Sequence, residues 1–268
     1  MTPPAAGPWN MAVDEILSRS VEAGGLPFLR FYEWKPGSLS LGRFQHPEWG
    51  LTPESQSVPR VRRMTGGGAI WHETELTYSL GCRTEHLPVT GVKASFELLS
   101  GFLLDTWKSW DWPAAWAKDT AIDPKSLGVP TAACFAGHEA YDILVGGKKL
   151  GGNAQSRSRT TIFQHGSIPI RLDFETLKTL FLKDFLPPRQ QVTSLSEQGW
   201  TGSSAELIRA LQAAFAQRTS AQWKPSELSP DEQAEAEILV TEKHSSSFWL
   251  EKGNGSVRVQ GPAMPTTH

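Results

Sequence analysis

Two glycine-rich stretches and one cysteine carry the residues of this sequence that are best suited to chemistry. The first stretch, RRMTGGGAIWHETELTYS, spans residues 62–79 and places three glycines between two arginines and a histidine. The second, VGGKKLGGNAQSR, spans residues 145–157, and Cys134 lies between the two. Glycines let a ligand approach main-chain N–H groups, which can stabilise a carbonyl oxygen that develops charge. A surface turn explains the triplet alone equally well, but the combination indicates an acyl-binding site.

Other functions of glycine-rich loops do not fit the spacing. Trp71 stands where a dinucleotide-binding G-x-G-x-x-G motif needs its third glycine, and neither stretch contains G-x-x-x-x-G-K-[ST]. The nucleophile motif G-x-S-x-G is absent from the sequence. The histidines and cysteines show no zinc-site spacing, so we expect no metal.

Composition excludes several broad classes of protein. The chain has 268 residues, a net charge of -2 and a sequence pI of about 6.4, which argues against a nucleic-acid partner. No run approaches the ~18 apolar residues of a membrane span. The start lacks the features of a secretion signal, and the two cysteines, Cys82 and Cys134, are too few for a disulfide framework. We therefore expect a cytoplasmic protein with no membrane partner.

Hydrophobic periodicity predicts both helices and strands. We expect a helix over residues 10–23 with Asn10 as its N-cap, and an amphipathic helix over residues 93–112. Residues 113–133 are rich in Pro, Ala and Gly, which predicts a long loop. Strands are predicted over residues 27–34, 57–63, 75–82 and 160–170, and a hairpin that turns at Gly146 and Gly147 over residues 141–152.

Beyond residue 173 the chain is predicted to be helical. Ser203 with Glu206 and Ser229 with Glu232 form two capping boxes, each of which marks the start of a helix. Strands early in the chain and helices late in it predict an α+β domain with a mixed or mostly antiparallel sheet.

Five segments resemble the superfamily of lipoate–protein ligases, octanoyltransferases and biotin–protein ligases. The resemblance covers most of the first 170 residues and implies a mixed, largely antiparallel sheet flanked by helices, as in class II aminoacyl-tRNA synthetases and biotin synthetases. It further implies one catalytic domain over residues 1–250, and the Gly, Pro and Thr composition of residues 251–268 predicts a flexible tail. The segments are NMAVDE (10–15), FLRFYEWKPGSLSLGRFQ (28–45), RRMTGGGAIWHETELTYS (62–79), GGKKLGGNAQSR (146–157) and FQHGSI (163–168).

Within this superfamily the sequence is most similar to the single-chain, cysteine-dependent octanoyltransferases. The resemblance implies that Cys134 is the nucleophile and that Lys149 is the active-site lysine, which either favours the thiolate or orients the acyl carbonyl. Cys82 lies in an alternating strand and is expected in the core. The substrate-binding residues implied are Arg63, Thr65, Gly66, Gly67, Gly68, Ala69, Trp71, His72, Gly151, Gly152, Asn153, Ala154, Gln155, His165 and Gly166.

Several of these assignments have structural alternatives. His72 is equally well explained as a polar cap on the loop, and His165 as a hydrogen-bonded scaffold residue. Trp71 suits ordinary core packing as well as a tunnel wall. His138 lies close to Cys134 in the sequence, which makes it a weaker candidate for a general base.

The reaction implied by the resemblance is octanoyl transfer in protein lipoylation. Octanoyl passes from acyl carrier protein to Cys134, and then to a lysine of a lipoyl-domain protein, either the glycine cleavage H protein or the E2 component of a 2-oxoacid dehydrogenase. No metal, ATP or other cofactor is expected, and the protein is expected to be a monomer.

Three alternatives remain open on the sequence. An ATP-dependent lipoate ligase would form an acyl-adenylate and would not need Cys134. An amidotransferase would move octanoyl between lipoyl-domain proteins. A non-catalytic protein would bind the carrier or lipoyl domain without forming a thioester.

Overall fold

In the computed structural model, residues 3–122, 133, 137 and 139–253 are described. The helices are α1 Gly7–Glu22, α2 Val92–Ser109, α3 Phe174–Leu180, α4 Ser204–Thr219, α5 Pro230–Leu239 and α6 Ser247–Lys252. The strands are β1 Phe28–Tyr32, β2 Ser38–Leu41, β3 Arg60–Arg62, β4 Ile70–His72, β5 Glu75–Arg83, β6 Ala114–Trp116, β7 Ile143–Val145, β8 Lys148–Lys149, β9 Gly152–Arg157 and β10 Thr161–Pro169. No helix in these ranges is long and apolar enough to cross a membrane.

The central sheet is antiparallel throughout and has the strand order β1–β5–β10–β9. Its side chains alternate between two faces, as the period of two in the sequence predicts. Tyr78 faces helix α2, where its ring packs edge-on against Phe102 with the ring centroids 5.2 Å apart. Helices α2 and α4 cover this face and form the main hydrophobic core with it.

Two smaller sheets flank the central one. In the first, β2 pairs in parallel with β3 and antiparallel with β4. In the second, β6, β7 and β8 pair antiparallel. The turn between β7 and β8 contains Gly146 and Gly147, both with positive φ, as the predicted hairpin requires. The mixed α+β architecture that the sequence predicts is confirmed, although the strands divide among three sheets.

Two local predictions are wrong. Helix α1 begins at Gly7, with Pro8 in its first turn, so Asn10 lies inside the helix. The buried side chain of Asn10 donates to the carbonyl oxygens of Ala5 and Glu33. This polar residue therefore anchors the neighbouring chain and does not cap the helix. The predicted loop over residues 113–133 contains strand β6, because its residues 114–116 pair with the buried apolar strand β7.

Helix α1 is fixed to the central sheet by one buried carboxylate. Asp14 accepts hydrogen bonds from Arg30 at 2.7 Å, Tyr32 at 2.8 Å and Ser79 at 2.7 Å. Burial, and then the charge of Asp14, raise the pKa of Tyr32 well above 10, so the phenol stays protonated and donates. These bonds satisfy a carboxylate that would otherwise be costly to bury.

Both predicted capping boxes form, at Ser203 and Ser229.

A second buried carboxylate joins helix α1 to the end of the described chain. A turn of π-helix over residues 240–244 follows α5. There Lys243 and His244 donate to Glu15, at 2.7 Å and 3.0 Å. Burial raises the pKa of Glu15, but the bonds and charges of these two partners outweigh it and lower the pKa from 4.5 to about 2.

Replacing Glu15 by Gln is expected to weaken the dependence of stability on acid. The pKa of Glu15 is lowered by folding, so its contribution is present above pH 4.5 and is lost as the pH falls towards 2. A difference of this size corresponds to about 3 kcal/mol. Urea unfolding of the wild type and of Glu15→Gln at pH 7 and pH 3 measures it. Glu22→Gln, an exposed change on the same helix, is the control, and an equal pH dependence in wild type and Glu15→Gln would contradict the assignment.

Candidate active site

A pocket lies at the junction of the central sheet with the sheet of β2, β3 and β4. We call it the junction pocket. The space that it encloses, including solvent at its mouth, is about 330 Å³. Its wall is formed by Tyr32, Trp34, Arg63, Ile70, His72, Thr77, Gly152, Asn153, Ala154, His165, Gly166 and Ser167.

The wall brings together seven of the substrate-binding residues that the sequence implied and five that it did not. The seven are Arg63, His72, Gly152, Asn153, Ala154, His165 and Gly166, and the five are Tyr32, Trp34, Ile70, Thr77 and Ser167. The alternation of side chains along a strand could have identified two of the missed residues. Ile70 lies two residues from His72, and Ser167 lies two from His165, so each shares a face with a residue that was identified.

His72 is held on three sides in the pocket wall. Its Nε2 lies 2.6 Å from the hydroxyl of Ser40, and its Nδ1 lies 2.7 Å from the carboxylate of Glu75. Its ring stacks on Trp34, with centroids 4.0 Å apart and an interplanar angle of 13°. Because both ring nitrogens are bonded within the protein, His72 presents little polar surface to a ligand.

Glu75 collects the other polar side chains of the wall. The hydroxyls of Thr77 and Ser167 both donate to its carboxylate, and Thr77 in turn accepts a hydrogen bond of 2.8 Å from Trp34. Burial raises the pKa of Glu75, but the charge and hydrogen bond of His72 and the two hydroxyl bonds bring it below 4.5. The wall is therefore rich in polar residues, yet the surface that it exposes to the pocket is mostly apolar.

His165 lies in the same wall as a neutral imidazole. Its Nε2 is 2.5 Å from the hydroxyl of Thr65, which brings together two residues that the sequence implied. Burial, followed by the charges of Arg63 and His72, lowers the pKa of His165 well below 6.5. An uncharged ring suits a site for an apolar chain.

Arg63 determines the shape of the glycine loop, residues 66–68. Its Nη2 donates to the carbonyl oxygens of Gly66 at 3.2 Å and Gly68 at 2.9 Å, while its Nη1 donates to Ser40. Within the described part of the chain, the N–H groups of these three glycines donate no hydrogen bond. The loop therefore turns its carbonyl oxygens towards Arg63 and keeps its N–H groups available.

The bare backbone of the loop is explained by close approach as well as by conformation. Gly67 has a φ of 96°, which a residue with a side chain rarely adopts. A Cβ atom at Gly42 would lie 1.8 Å from the carbonyl oxygen of Gly67. The strand end at residue 42 and the glycine loop are thus in direct backbone contact.

Lys149 is buried at the end of the hairpin, whereas its neighbour Lys148 is exposed. Its ammonium lies 2.6 Å from the carboxylate of Asp142 and donates to the carbonyl oxygen of Gly137 at 2.7 Å. Asp142 was not identified from the sequence. The signal was its position at the start of the strand that pairs with residues 148–149, since a buried lysine needs a partner of opposite charge.

The segment that contains Cys134 is attached at two described residues. Ala133 pairs with Ala69 at the end of the glycine loop, and Gly137 accepts the hydrogen bond from Lys149. Cys134 and His138 lie outside the described residues. Cys82 is buried in β5, and burial raises its pKa to about 11, which leaves it an unreactive thiol.

The remaining implied residues lie next to the junction pocket rather than in its wall. Trp71 projects from the opposite face of β4 to His72 and borders a second pocket with Leu172 and Leu177. Gln155 bonds to Gln164 at 3.0 Å in the central sheet. Gly151 has a φ of 83° and approaches the carbonyl oxygen of Ser167, a contact that leaves no room for a side chain.

Arg62, which the sequence analysis left without a role, fastens the back of the site. Its guanidinium donates to the carbonyl oxygens of Gly42 and Gln45, at 2.6 and 2.7 Å, and also to that of Trp249 at 3.0 Å. Burial, and then the charge of Arg63, lower the pKa of Arg62 to about 10, which still leaves it charged at neutral pH. Helix α6 is thereby tied to the loop that supports the glycine loop.

The sequence and the fold both match known proteins. The model of the lipoyl protein ligase A/B catalytic domain matches residues 7–216. The octanoyltransferase LipM of Exiguobacterium sp. is 35% identical over 259 residues, which cover 91% of this chain and 93% of that protein. The octanoyltransferase LipM of Symbiobacterium thermophilum is 36% identical over 259 residues, with coverage of 91% and 93%. The chain belongs to the lipoyl protein ligase A/B catalytic domain family.

Solved structures show the same fold. A lipoate–protein ligase A bound with ATP superposes with a TM-score of 0.78 and 21% identity, over 94% of this chain and 97% of that one. A putative lipoate protein ligase from T. acidophilum with bound lipoic acid has a TM-score of 0.76 and 21% identity, over 94% and 96%. At this identity the likeness concerns the fold. The activity follows from the octanoyltransferase relatives, which match most of this chain. They confirm the prediction that the chain is an acyltransferase that transfers octanoyl in protein lipoylation. They do not favour the ligase or the amidotransferase alternative.

Replacing His165 by Gln is expected to reduce the loss of stability in mild acid. The pKa of His165 is lowered by folding, so its contribution is present above pH 6.5 and is lost as the pH falls below that value. The advantage of wild type over His165→Gln should therefore shrink by about 1 kcal/mol per pH unit below 6.5. Urea unfolding between pH 7.5 and 5 measures this, with the exposed change His46→Gln as the control. If the difference in unfolding free energy between wild type and His165→Gln stayed constant across this range, folding would not lower the pKa of His165.

Proposed function

We propose that this chain takes octanoyl from acyl carrier protein onto Cys134 and passes it to a lysine of a lipoyl-domain protein. The observation that carries the proposal is the attachment of the segment around Cys134. Ala133 pairs with Ala69, and Gly137 accepts a bond from Lys149. The cysteine thus follows directly on a residue that pairs with the end of the glycine loop, and three residues later the chain binds the buried lysine.

The junction pocket suits the octanoyl chain. Its polar side chains satisfy one another, so it exposes mostly apolar surface. Burial of an apolar chain contributes about 0.8 kcal/mol per methylene. Several buried methylenes would therefore supply most of the affinity for the acyl group.

The glycine loop supplies donors for the reacting carbonyl. The N–H groups of Gly66, Gly67 and Gly68 have no acceptor within the described residues, and Arg63 holds the carbonyl oxygens of the loop on the other side. Preorganised N–H groups of this kind stabilise the oxyanion of a tetrahedral intermediate. Removing one such donor from an enzyme costs about 10²–10³ in rate.

The reaction consists of two acyl transfers. In the first, the thiolate of Cys134 attacks the carrier thioester, a new carbon–sulfur bond forms, and the carrier thiolate leaves and takes a proton from water. In the second, the neutral amine of an acceptor lysine attacks the acyl-enzyme, the amide bond forms, and Cys134 leaves as a thiolate while the nitrogen loses a proton to water. This is covalent catalysis of the ping-pong type.

Lys149 orients the acyl carbonyl in this cycle. The carboxylate of Asp142 lies 2.6 Å from its ammonium and offsets much of the field that it would exert on a thiol. A paired ammonium can still donate a hydrogen bond to a carbonyl oxygen. We therefore assign Lys149 to the carbonyl rather than to the activation of Cys134.

The proposal includes the biological setting that the sequence implied. The donor is octanoyl-acyl carrier protein, and the acceptor is the glycine cleavage H protein or the E2 component of a 2-oxoacid dehydrogenase. Residues 1–250 act as one catalytic domain, and the chain works as a monomer in the cytoplasm without a cofactor. The name of one structural neighbour, a bipartite lipoate protein ligase and its E2 lipoyl domain, supports a lipoyl-domain acceptor.

Incubation with octanoyl-acyl carrier protein, without ATP, is expected to add one octanoyl group to the wild-type chain. Intact-protein mass spectrometry detects the adduct, and hydroxylamine should remove it because thioesters are labile to this nucleophile. Cys134→Ala should remain unmodified, while the control Cys82→Ala should be acylated like wild type. An adduct that persists in Cys134→Ala would place the thioester elsewhere.

Replacing Lys149 by Met is expected to slow acylation of Cys134 by about 100-fold, the lower end of the loss on removing an oxyanion donor. The pH midpoint for alkylation of Cys134 by iodoacetamide should stay unchanged when Lys149→Met is combined with Asp142→Asn, because this removes both charges of the pair and leaves no unpaired buried carboxylate. Rapid-quench mass spectrometry gives the first quantity, and a pH series of alkylation rates gives the second.

The exposed neighbour Lys148 provides the matched control for this experiment. Lys148→Met should acylate at the wild-type rate and unfold at the wild-type temperature. A rise of one unit or more in the alkylation midpoint of the double variant Lys149→Met with Asp142→Asn, and not in Lys148→Met, would reverse the assignment and make Lys149 the group that favours the thiolate.

A further inference from the structure

Arg43 has no electrostatic partner in the described chain. Its side chain makes no hydrogen bond or ion pair with residues 3–122, 133, 137 or 139–253, and its Nε is buried without an acceptor. Its guanidinium lies over the ring of Phe44, whose centroid is 5.4 Å from the guanidinium carbon. A buried N–H without an acceptor is costly, so the position of the Arg43 Nε calls for a ligand or a function.

The acceptors near Arg43 are already used by other groups. Arg62 binds the carbonyl oxygens of Gly42 and Gln45, on either side of Arg43. The carbonyl oxygen of Thr65 accepts the main-chain N–H of Arg43 itself, at 2.7 Å. These oxygens already accept hydrogen bonds, and no described residue supplies an acceptor to the guanidinium of Arg43.

The same residues place Arg43 against the glycine loop. Residues 42–44 run alongside residues 65–67, with Gly42 in contact with Gly67 and the ring of Phe44 3.9 Å from the Cβ position of Gly66. Phe44 is 47% exposed. Arg43 therefore lies on the outer surface of the loop whose far end pairs, through Ala69, with the residue before Cys134.

The local charge favours an anion, although the whole chain carries a net charge of -2. Arg62 donates its hydrogen bonds to carbonyl oxygens, which are neutral and therefore leave its positive charge uncompensated. The Nη1 of Arg62 also donates to the main-chain carbonyl oxygen of Arg43 at 3.3 Å, so a buried positive charge lies against the backbone of Arg43. A guanidinium binds a phosphate through two parallel N–H···O bonds, which makes arginine well suited to phosphate recognition.

We propose that Arg43 binds the phosphate of the phosphopantetheine arm on which the donor carries its octanoyl group. This inference rests on the proposed function, since it takes a phosphopantetheine thioester as the donor. The thioester end of the arm enters at the glycine loop, and its phosphate end remains at the surface beside Phe44. Arg63, the other arginine of the site, is not available for this role because it holds the glycine loop from within.

The test compares two small donors that differ only in the phosphate, octanoyl-phosphopantetheine and octanoyl-pantetheine. Wild type should form the acyl-enzyme with the phosphorylated donor at a kcat/KM higher by about 10- to 100-fold, the range for hydrogen bonds to a charged group. In Arg43→Gln this preference should fall to near one, with the rate on octanoyl-pantetheine unchanged. Arg159→Gln, which removes an exposed arginine between β9 and β10, should keep the wild-type preference.

Two results would overturn the inference. One is an equal loss of rate with both donors in Arg43→Gln, which would show that Arg43 supports the loop rather than the phosphate. The other is the same phosphate preference in Arg43→Gln and wild type. Arg43→Lys serves as a second variant, and it should keep part of the preference, because the charge remains and the two-bond geometry is lost.

Calorimetric titration of the chain with phosphopantetheine separates this inference from the proposed function. Binding that is present in wild type and lost in Arg43→Gln supports the phosphate site even if neither donor acylates Cys134, a result that would reject the thioester cycle alone. Acylation of Cys134 with no phosphate preference, together with no calorimetric binding, would reject the phosphate site and leave the cycle intact.

Discussion

An octanoyl chain, the occupant that we propose for the junction pocket, offers no hydrogen bonds, so every polar group around it must be satisfied by the protein. The junction pocket meets this constraint with a closed network rather than with an apolar lining. His72 joins Ser40 to Glu75, and Glu75 accepts the hydroxyls of Thr77 and Ser167. Removing any one member would leave a buried partner without a bond, which costs about 1–3 kcal/mol. The polar residues of the wall therefore stabilise the structure by bonding to one another. These bonds leave a mostly apolar surface facing the pocket.

The two adjacent arginines, Arg62 and Arg63, satisfy main-chain carbonyl oxygens around the site in the same way. Arg63 points into the site and holds the carbonyl oxygens of the glycine loop, while Arg62 points away and holds residues 42–45 together with helix α6. Neighbouring residues of an extended chain project to opposite sides, so one arginine pair can fasten two layers. No described residue accepts a hydrogen bond from the N–H groups of the glycine loop, and Arg63 holds the carbonyl oxygens of Gly66 and Gly68.

The sequence predicted the features that depend on local spacing. The α+β class, the hairpin at Gly146 and Gly147 and the two capping boxes all follow from patterns within a few residues. The partners of the site residues did not follow, because they come from distant parts of the chain. Ser40 meets His72 across 32 positions, and Ser167 meets Glu75 across 92. The failure at Asn10 has the same cause, since its contact with Glu33 lies 23 residues away.

The fold and the pocket do not by themselves decide between a ligase and a transferase. The structural neighbours are lipoate–protein ligases at 21% identity, whereas relatives at 35–36% identity are octanoyltransferases. If the wall binds the acyl chain as we propose, polar atoms that bond to one another are indifferent to how the carbonyl of that chain is activated. In the cycle that we propose, the difference lies where the carbonyl reacts, at the end of the glycine loop and beside Lys149. Between the anchors at Ala133 and Gly137 this chain places a cysteine, a residue that can hold the acyl group as a thioester without ATP.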